Sequence, residues 1–171
     1  VRIPLDDAWQ LPADFAAQLN AAQVRLACIV NPHAPSGVLL DRDVIARLAE
    51  GFHGVLLVDE AYVDFVDPAR GHDLVPLVHR FDNLLLLRTF SKGYSLAGLR
   101  LGYLIGAAPL IEPLVTKTRD SYNIDAISQV LGEAAVIERA YAAETWRRVR
   151  EDRARLRAGL EQLGFAAPDS E

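Results

Sequence analysis

The chain has 171 residues, 51% of them hydrophobic, and a formal net charge of −5; this is enough apolar material for one substantial core, and the acidic balance argues against a nucleic-acid partner. No apolar run approaches the roughly 20 residues of a membrane-spanning helix, and the amino end lacks the basic, apolar, small-residue order of a signal peptide. The single cysteine, Cys28, excludes an internal disulfide and reads as a buried small hydrophobe, so a cytoplasmic protein is expected.

In chain order, residues 1–20 read as an extended entry with a short helix over 12–19. Residues 24–30, VRLACIV, form a nearly continuous apolar run, the pattern of a strand buried on both faces of a parallel sheet. They end in NPHAPSG, residues 31–37, a rigid turn with two prolines and a glycine. Asp41 is placed to cap a helix whose inner face carries Val44, Ile45 and Leu48, with Gly51 as its stop. A second buried strand over 55–58 closes on Asp59, Glu60, Ala61 and Tyr62. Residues 63–83 read as a loop with a short helix near 74–79.

A third strand, 84–89, enters the turn that holds Lys92, and a fourth follows over 101–105. Pro109 suits a helix start, whereas Pro113 predicts a kink or restart. Asp125 caps the next helix, whose stripe is Ile127, Val130, Leu131, Ala134 and Ile137. From Tyr141 a long helix puts Trp146, Val149, Leu156, Leu160 and Leu163 on one side and stops at Gly164; its arginines alternate with acids, as on a solvated, salt-bridged face. The chain opens at Val1, contains no methionine and closes at Glu171 without a structural terminator, which reads as a segment of something longer.

Strand, helix and strand in this order make an α/β fold, in which ligands bind beyond the carboxyl ends of the strands; Asn31, Asp59 and Lys92 are expected to converge there. Lysine is scarce, occurring only at 92 and 117 while arginine supplies the remaining positive charge. A primary amine forms a Schiff base and a guanidinium does not. Thr89, Ser91 and Arg100 around the lysine offer hydroxyls and a planar cationic fork suited to a phosphate. An amine beside a phosphate cradle points to pyridoxal phosphate. That cofactor needs a carboxylate at its ring nitrogen, which Asp59 supplies, and donors at its phenolate oxygen, for which Asn31 and Tyr62 stand at the strand ends. Asn31 equally suits an Asx turn before Pro32, and Tyr62 a half-buried core position.

NPHAPSG, VDEAYVDF and RTFSKGYSLAGLRLGY, in this order, resemble the signature segments of fold-type I aminotransferases, most closely the histidinol-phosphate branch, as does RDSYNID at 119–125. The resemblance implies a three-layer α/β/α sandwich with a mostly parallel sheet. Residues 1–140 would be part of the large cofactor-binding domain, and 141–171 the long interdomain helix and the start of a small domain. It implies that Lys92 carries pyridoxal 5'-phosphate and acts as base, that Asn31 and Tyr62 contact the phenolate oxygen and Asp59 the ring nitrogen, and that Thr89, Ser91 and Arg100 bind the phosphate. An amino donor and a 2-oxo acid acceptor would be the substrates, and a homodimer the assembly. The turn departs from the common NPNNPTG form at His33, Ala34 and Ser36. The glycine-rich phosphate turn and the ring-stacking aromatic that family members place before this region, and the carboxylate-binding arginine they place after it, are not in the chain. An aromatic aminotransferase or a phosphothreonine decarboxylase on the same fold would use the same residues, and an inactive fragment of such an enzyme is the reading from another class. The GVLLVDE strand also resembles a nucleoside triphosphatase's magnesium site, but no GxxxxGK[ST] loop accompanies it. His33, His53, His72 and His79 lack paired-ligand spacing, so no metal is expected.

Overall fold

The computed structural model describes residues 1–118 and 122–171; Arg119, Asp120 and Ser121 of the 119–125 motif lie outside the described residues. Strands β1 (Leu26–Val30), β2 (Val55–Asp59), β3 (Leu84–Thr89) and β4 (Gly102–Gly106) form one sheet in that spatial order. The first three are parallel, with Cys28 opposite Leu57 and Val58 opposite Leu86. β4 is antiparallel to β3, and Arg88 faces Tyr103. Helices α1 (Phe15–Ala21), α2 (Arg42–Gly51), α3 (Val75–Val78), α4 (Ala108–Lys117), α5 (Ala126–Ile137) and α6 (Arg139–Gln162) complete the regular structure. Parallel neighbours need a crossover. α2 lies in the connection from β1 to β2, and α3 in that from β2 to β3.

The core lies on one face of the sheet. Ile45, Leu48 and Ala49 of α2, with Leu77 and Val78 of α3, pack on Ala27, Ile29, Leu56, Val58, Leu84 and Leu86. On the opposite face α4 covers β3 and β4, where Ile111 approaches Leu85 beside Gly106. Helices thus flank the sheet on both sides, as the α/β expectation has it, but the second layer does not extend over β1 among the described residues. Leu26 is 59% exposed and Cys28 is exposed. This corrects the expectation of a strand buried on both faces. β1 alternates between covered and open residues, and Cys28 falls on the open side.

Two further expectations change. α4 runs through Pro113 without a restart; the one intrahelical bond this proline cannot make is to Pro109 in the exposed first turn. α5 buries Ser128 and Gly132 instead of its apolar stripe. Gly132 sits so close to Leu101 that a Cβ there would overlap it, so the small side of this helix faces the body. Ile127, Val130, Leu131 and Ile137 remain exposed. The cap at Asp125 is present, with its carboxylate accepting from the Ser128 amide at 2.9 Å and from the Ser128 hydroxyl at 2.6 Å.

Away from the strands' carboxyl ends, Asn83 closes the fold. Its amide nitrogen lies 2.9 Å from the carbonyls of Ala49 and Phe52 and 3.1 Å from that of Gly54, holding the end of α2 to the entries of β2 and β3. Asn83→Ala leaves these carbonyls without their donor and is expected to lower unfolding free energy by about 2–3 kcal/mol in denaturant titration. The Ser128 hydroxyl and amide hold the Asp125 carboxyl below the ordinary carboxylate range. A depressed folded-state value contributes stability above the unfolded-state value and loses it as pH falls through the folded one. The stability difference between wild type and Asp125→Ala is therefore expected to be flat above about pH 5 and to shrink progressively below about pH 4.

Candidate active site

Because β1, β2 and β3 are adjacent and parallel, Asn31, Asp59 and the Lys92 turn all emerge at one edge of the sheet. Side chains alternate along a strand. Asp59 pairs with Leu87, so Asp59 and Thr89 share the face opposite the main core. Glu60 and Arg88 point the other way, where Arg88 Nε donates to Glu60 Oε2 at 2.7 Å. Glu60 is 1% exposed. Burial pushes its carboxyl up, the Arg88 charge draws it back, and Oε1 has no hydrogen-bond partner among the described residues. The Glu60 amide also donates to the Leu87 carbonyl at 2.8 Å, so backbone and side chain together tie the ends of β2 and β3.

Lys92 is exposed in the turn after β3. Its Nζ lies 5.3 Å from the centre of the Tyr62 ring, and no carboxylate pairs with it among the described residues. The turn is closed by the Ser95 amide on the Lys92 carbonyl and the Leu96 amide on the Phe90 carbonyl, both at 3.0 Å. Thr89 Oγ1 accepts from the Ser91 amide at 3.1 Å and donates to the Leu101 carbonyl at 3.3 Å. Arg100 is exposed with φ 52°, and its guanidinium donates to the Ala97 carbonyl at 3.1 Å. Asp59 Oδ1 accepts from the Ala61 amide at 3.0 Å, leaving the second carboxylate oxygen uncommitted among the described residues.

Asn31 stands apart. It is fully buried, its Nδ2 donates to the Leu40 carbonyl at 3.1 Å, and its Oδ1 accepts from the Leu40 amide at 2.7 Å. The side chain braces the 31–40 loop from inside, and only one amide hydrogen is left over. A cleft of about 460 Å³ lies between the 32–37 turn, Tyr62, α6 and the carboxyl-terminal segment. Glu171 reaches the turn through its amide on the Gly37 carbonyl at 2.8 Å.

A primary amine, a half-committed carboxylate on the same edge, two hydroxyls and a guanidinium fit the polar groups of pyridoxal phosphate. A cavity of about 650 Å³ lies along β1 and the entry segment, and Lys92 is not among its lining residues. Sequence reasoning passed over Glu60, Arg88 and Trp146. The first two were legible as Asp-Glu at the end of one strand and Arg-Thr at the end of the next, since consecutive residues must serve opposite faces. The helical pattern puts Trp146 on one side of α6 with Val149, Leu156, Leu160 and Leu163; of these only Trp146 is buried, and its indole Nε1 donates to the Gly93 carbonyl at 2.6 Å, a contact with no local signal.

The family model for aminotransferase class I and II matches residues 1–171. Histidinol-phosphate aminotransferase 1 of Trichormus variabilis is 41% identical over 170 residues, which cover 99% of this chain and 46% of that protein. Histidinol-phosphate aminotransferase of Chromohalobacter salexigens is 46% identical, covering 99% of this chain and 47% of its own length. The chain therefore spans about half the length of the curated relatives it matches. Among solved structures, histidinol-phosphate aminotransferase from Sinorhizobium meliloti, in complex with pyridoxal-5'-phosphate, superposes with a TM-score of 0.90 over 99% of this chain and 46% of that one, at 23% identity. The fold is thus that of the fold-type I enzymes, and with a family match along its whole length the chain belongs to the aminotransferase class I and II family.

Proposed function

We propose that the protein carrying this chain is a pyridoxal-phosphate-dependent aminotransferase that passes the amino group of histidinol phosphate to 2-oxoglutarate, giving imidazole acetol phosphate and glutamate in histidine biosynthesis. The observation that carries this reading is the Lys92 amine 5.3 Å from the Tyr62 ring, at the edge where Asp59 and Thr89 share a face. The names of relatives at 41–46% identity support the substrate.

When bound, the cofactor supplies an electron sink for the charge left as the substrate Cα loses its proton. Lys92 Nζ would hold the cofactor through its aldehyde carbon and, when freed, would be the base that moves the substrate's Cα proton. Asp59 accepts from the protonated ring nitrogen and keeps it charged. Tyr62, whose ring centre lies 5.3 Å from the lysine amine, would donate to the phenolate oxygen. Thr89, Ser91 and Arg100 hold the phosphate. Asn31, with its amide engaged by Leu40, acts chiefly by fixing the turn, and its remaining hydrogen is its only means of reaching the cofactor.

The same reading makes the protein a cytoplasmic homodimer, residues 1–140 part of the cofactor-binding domain, and 141–171 the interdomain helix and the start of a small domain. The apolar residues exposed on α5, Ile127, Val130, Leu131 and Ile137, support a second copy as their cover. Small-molecule donor and acceptor, with no nucleic acid, fit the acidic charge balance, and no helix among the described residues is long and apolar enough to cross a membrane.

Titration with pyridoxal phosphate followed by borohydride reduction and peptide mapping tests the reading. The label is expected on Lys92, and histidinol phosphate is expected to bleach the cofactor's absorbance band before reduction. A label confined to Lys117, or none, overturns the assignment; bleaching by phosphothreonine or an aromatic amino acid instead would reassign the substrate. Lys92→Ala is expected to abolish the label and lower kcat by about 10²–10⁴-fold. Asp59→Asn is expected to retain the label and lower kcat about 100-fold or more.

A further inference from the structure

Gly93, the residue after Lys92, is buried, and its surroundings leave nothing to spare. A Cβ at this position would overlap the Asp64 carboxylate, which comes from the 3-10 turn Val63–Phe65. On the other side stands α6. Of this 24-residue helix only Ala142 and Trp146 are buried, and Trp146 carries the polar contact, its indole N–H donating to the Gly93 carbonyl at 2.6 Å. No other donor reaches that carbonyl among the described residues. The indole meets the Tyr94 ring edge-on at 5.6 Å, and Tyr94 packs on Phe90 at 5.0 Å. The aromatic chain therefore encloses the turn between its entry at Phe90 and its exit beyond Tyr94.

A buried carbonyl without a donor is costly, and a peptide relieves that cost by rotating toward another donor or toward water. The Gly93 carbonyl belongs to the peptide between Gly93 and Tyr94, so its rotation would displace Gly93, which is bonded directly to Lys92 in the same turn. The contact that docks α6 is thus the same contact that fixes Gly93, the residue next to the lysine.

We propose that Trp146 is a positioning residue for Lys92, setting the direction of the lysine side chain through the Gly93 carbonyl and joining the placement of α6 to that of the amine. The inference rests on Lys92 being the cofactor lysine. Trp146→Phe keeps an aromatic ring at this buried position and removes the N–H together with the pyrrole half of the indole.

The test uses the intact protein that carries this chain. In Trp146→Phe the thermal midpoint is expected to fall by only about 2–4 °C. The dissociation constant for pyridoxal phosphate is expected to rise about tenfold and kcat to fall about tenfold, with KM for the amino donor within about twofold. In wild type labelled with 5-fluorotryptophan, the Trp146 fluorine resonance, identified by its loss in Trp146→Phe or, if that variant does not fold, in Trp146→Tyr, is expected to shift when cofactor is loaded on Lys92. A resonance that does not move on loading overturns the inference, as does a folded Trp146→Phe with unchanged cofactor affinity and kcat. A parallel change of kcat and KM would reduce Trp146 to structural support and overturn it too. If borohydride labels Lys92 in wild type and any of these results follows, this inference alone fails; if wild type takes no label on Lys92, the functional reading fails first.

Discussion

Behind the candidate site, on the core side of the sheet, Glu60 and Arg88 form an ion pair with the carboxylate 1% exposed. Their chain neighbours, Asp59 and Thr89, face the opposite way. One residue of slippage between β2 and β3 would exchange the faces and bury the site groups, so the pair acts as a register mark for everything in front of it. Such a pair gives little net stability, because desolvation offsets most of the attraction. Its effect is to specify one alignment. Tyr103 lies opposite Arg88 on β4, so the register extends across three strands.

In front of this braced layer the site is built from turns. Ser95 and Arg100 both adopt positive φ, at 57° and 52°, a conformation that costs a non-glycine residue about 1–2 kcal/mol. The surrounding structure has to hold it: Leu96 bonds back to Phe90, and the Ser128 hydroxyl of α5 packs 3.2 Å from the Leu99 carbonyl. Loops on a rigid sheet edge are where chemistry can be exposed without loosening the core, and the lysine turn shows both sides of that arrangement. Lys92 is open to solvent while Phe90 and Gly93 on either side of it are buried.

Much of this was legible in the sequence. Short apolar runs ending in polar residues gave the parallel strands and the edge at which they finish, and single caps such as Asp125 gave helix starts. Composition could not show which face each element covers. VRLACIV is apolar throughout, yet only its alternate residues are covered, because what lies over the other face is not encoded in the strand itself. The α5 stripe failed for a related reason: an apolar periodicity identifies a face that needs a cover, and not whether that cover is the chain's own body. Asn31 reads from sequence as a cofactor contact or as an Asx turn before Pro32, but its partner, the Leu40 backbone, lies nine positions away and leaves no mark in local pattern. Long-range polar contacts such as Trp146 to Gly93 lie beyond any such reading.

The length of α6 gives one of these contacts a mechanical meaning. Its buried side chains, Ala142 and Trp146, sit in its first third, and the 16 residues from Trp146 to Gln162 extend about 24 Å at 1.5 Å per residue. Taken as a rigid rod with its buried anchors near one end and a lighter polar tie from Arg153 to the Phe65 carbonyl, the helix has the proportions of a lever. A tilt of roughly 5° about Trp146 carries Gln162 through roughly 2 Å on that geometry, while the peptide at the fulcrum shifts by a small fraction of this. A large displacement at the distal end thus corresponds to a fine adjustment next to Lys92, a reduction gear made from one helix and one indole.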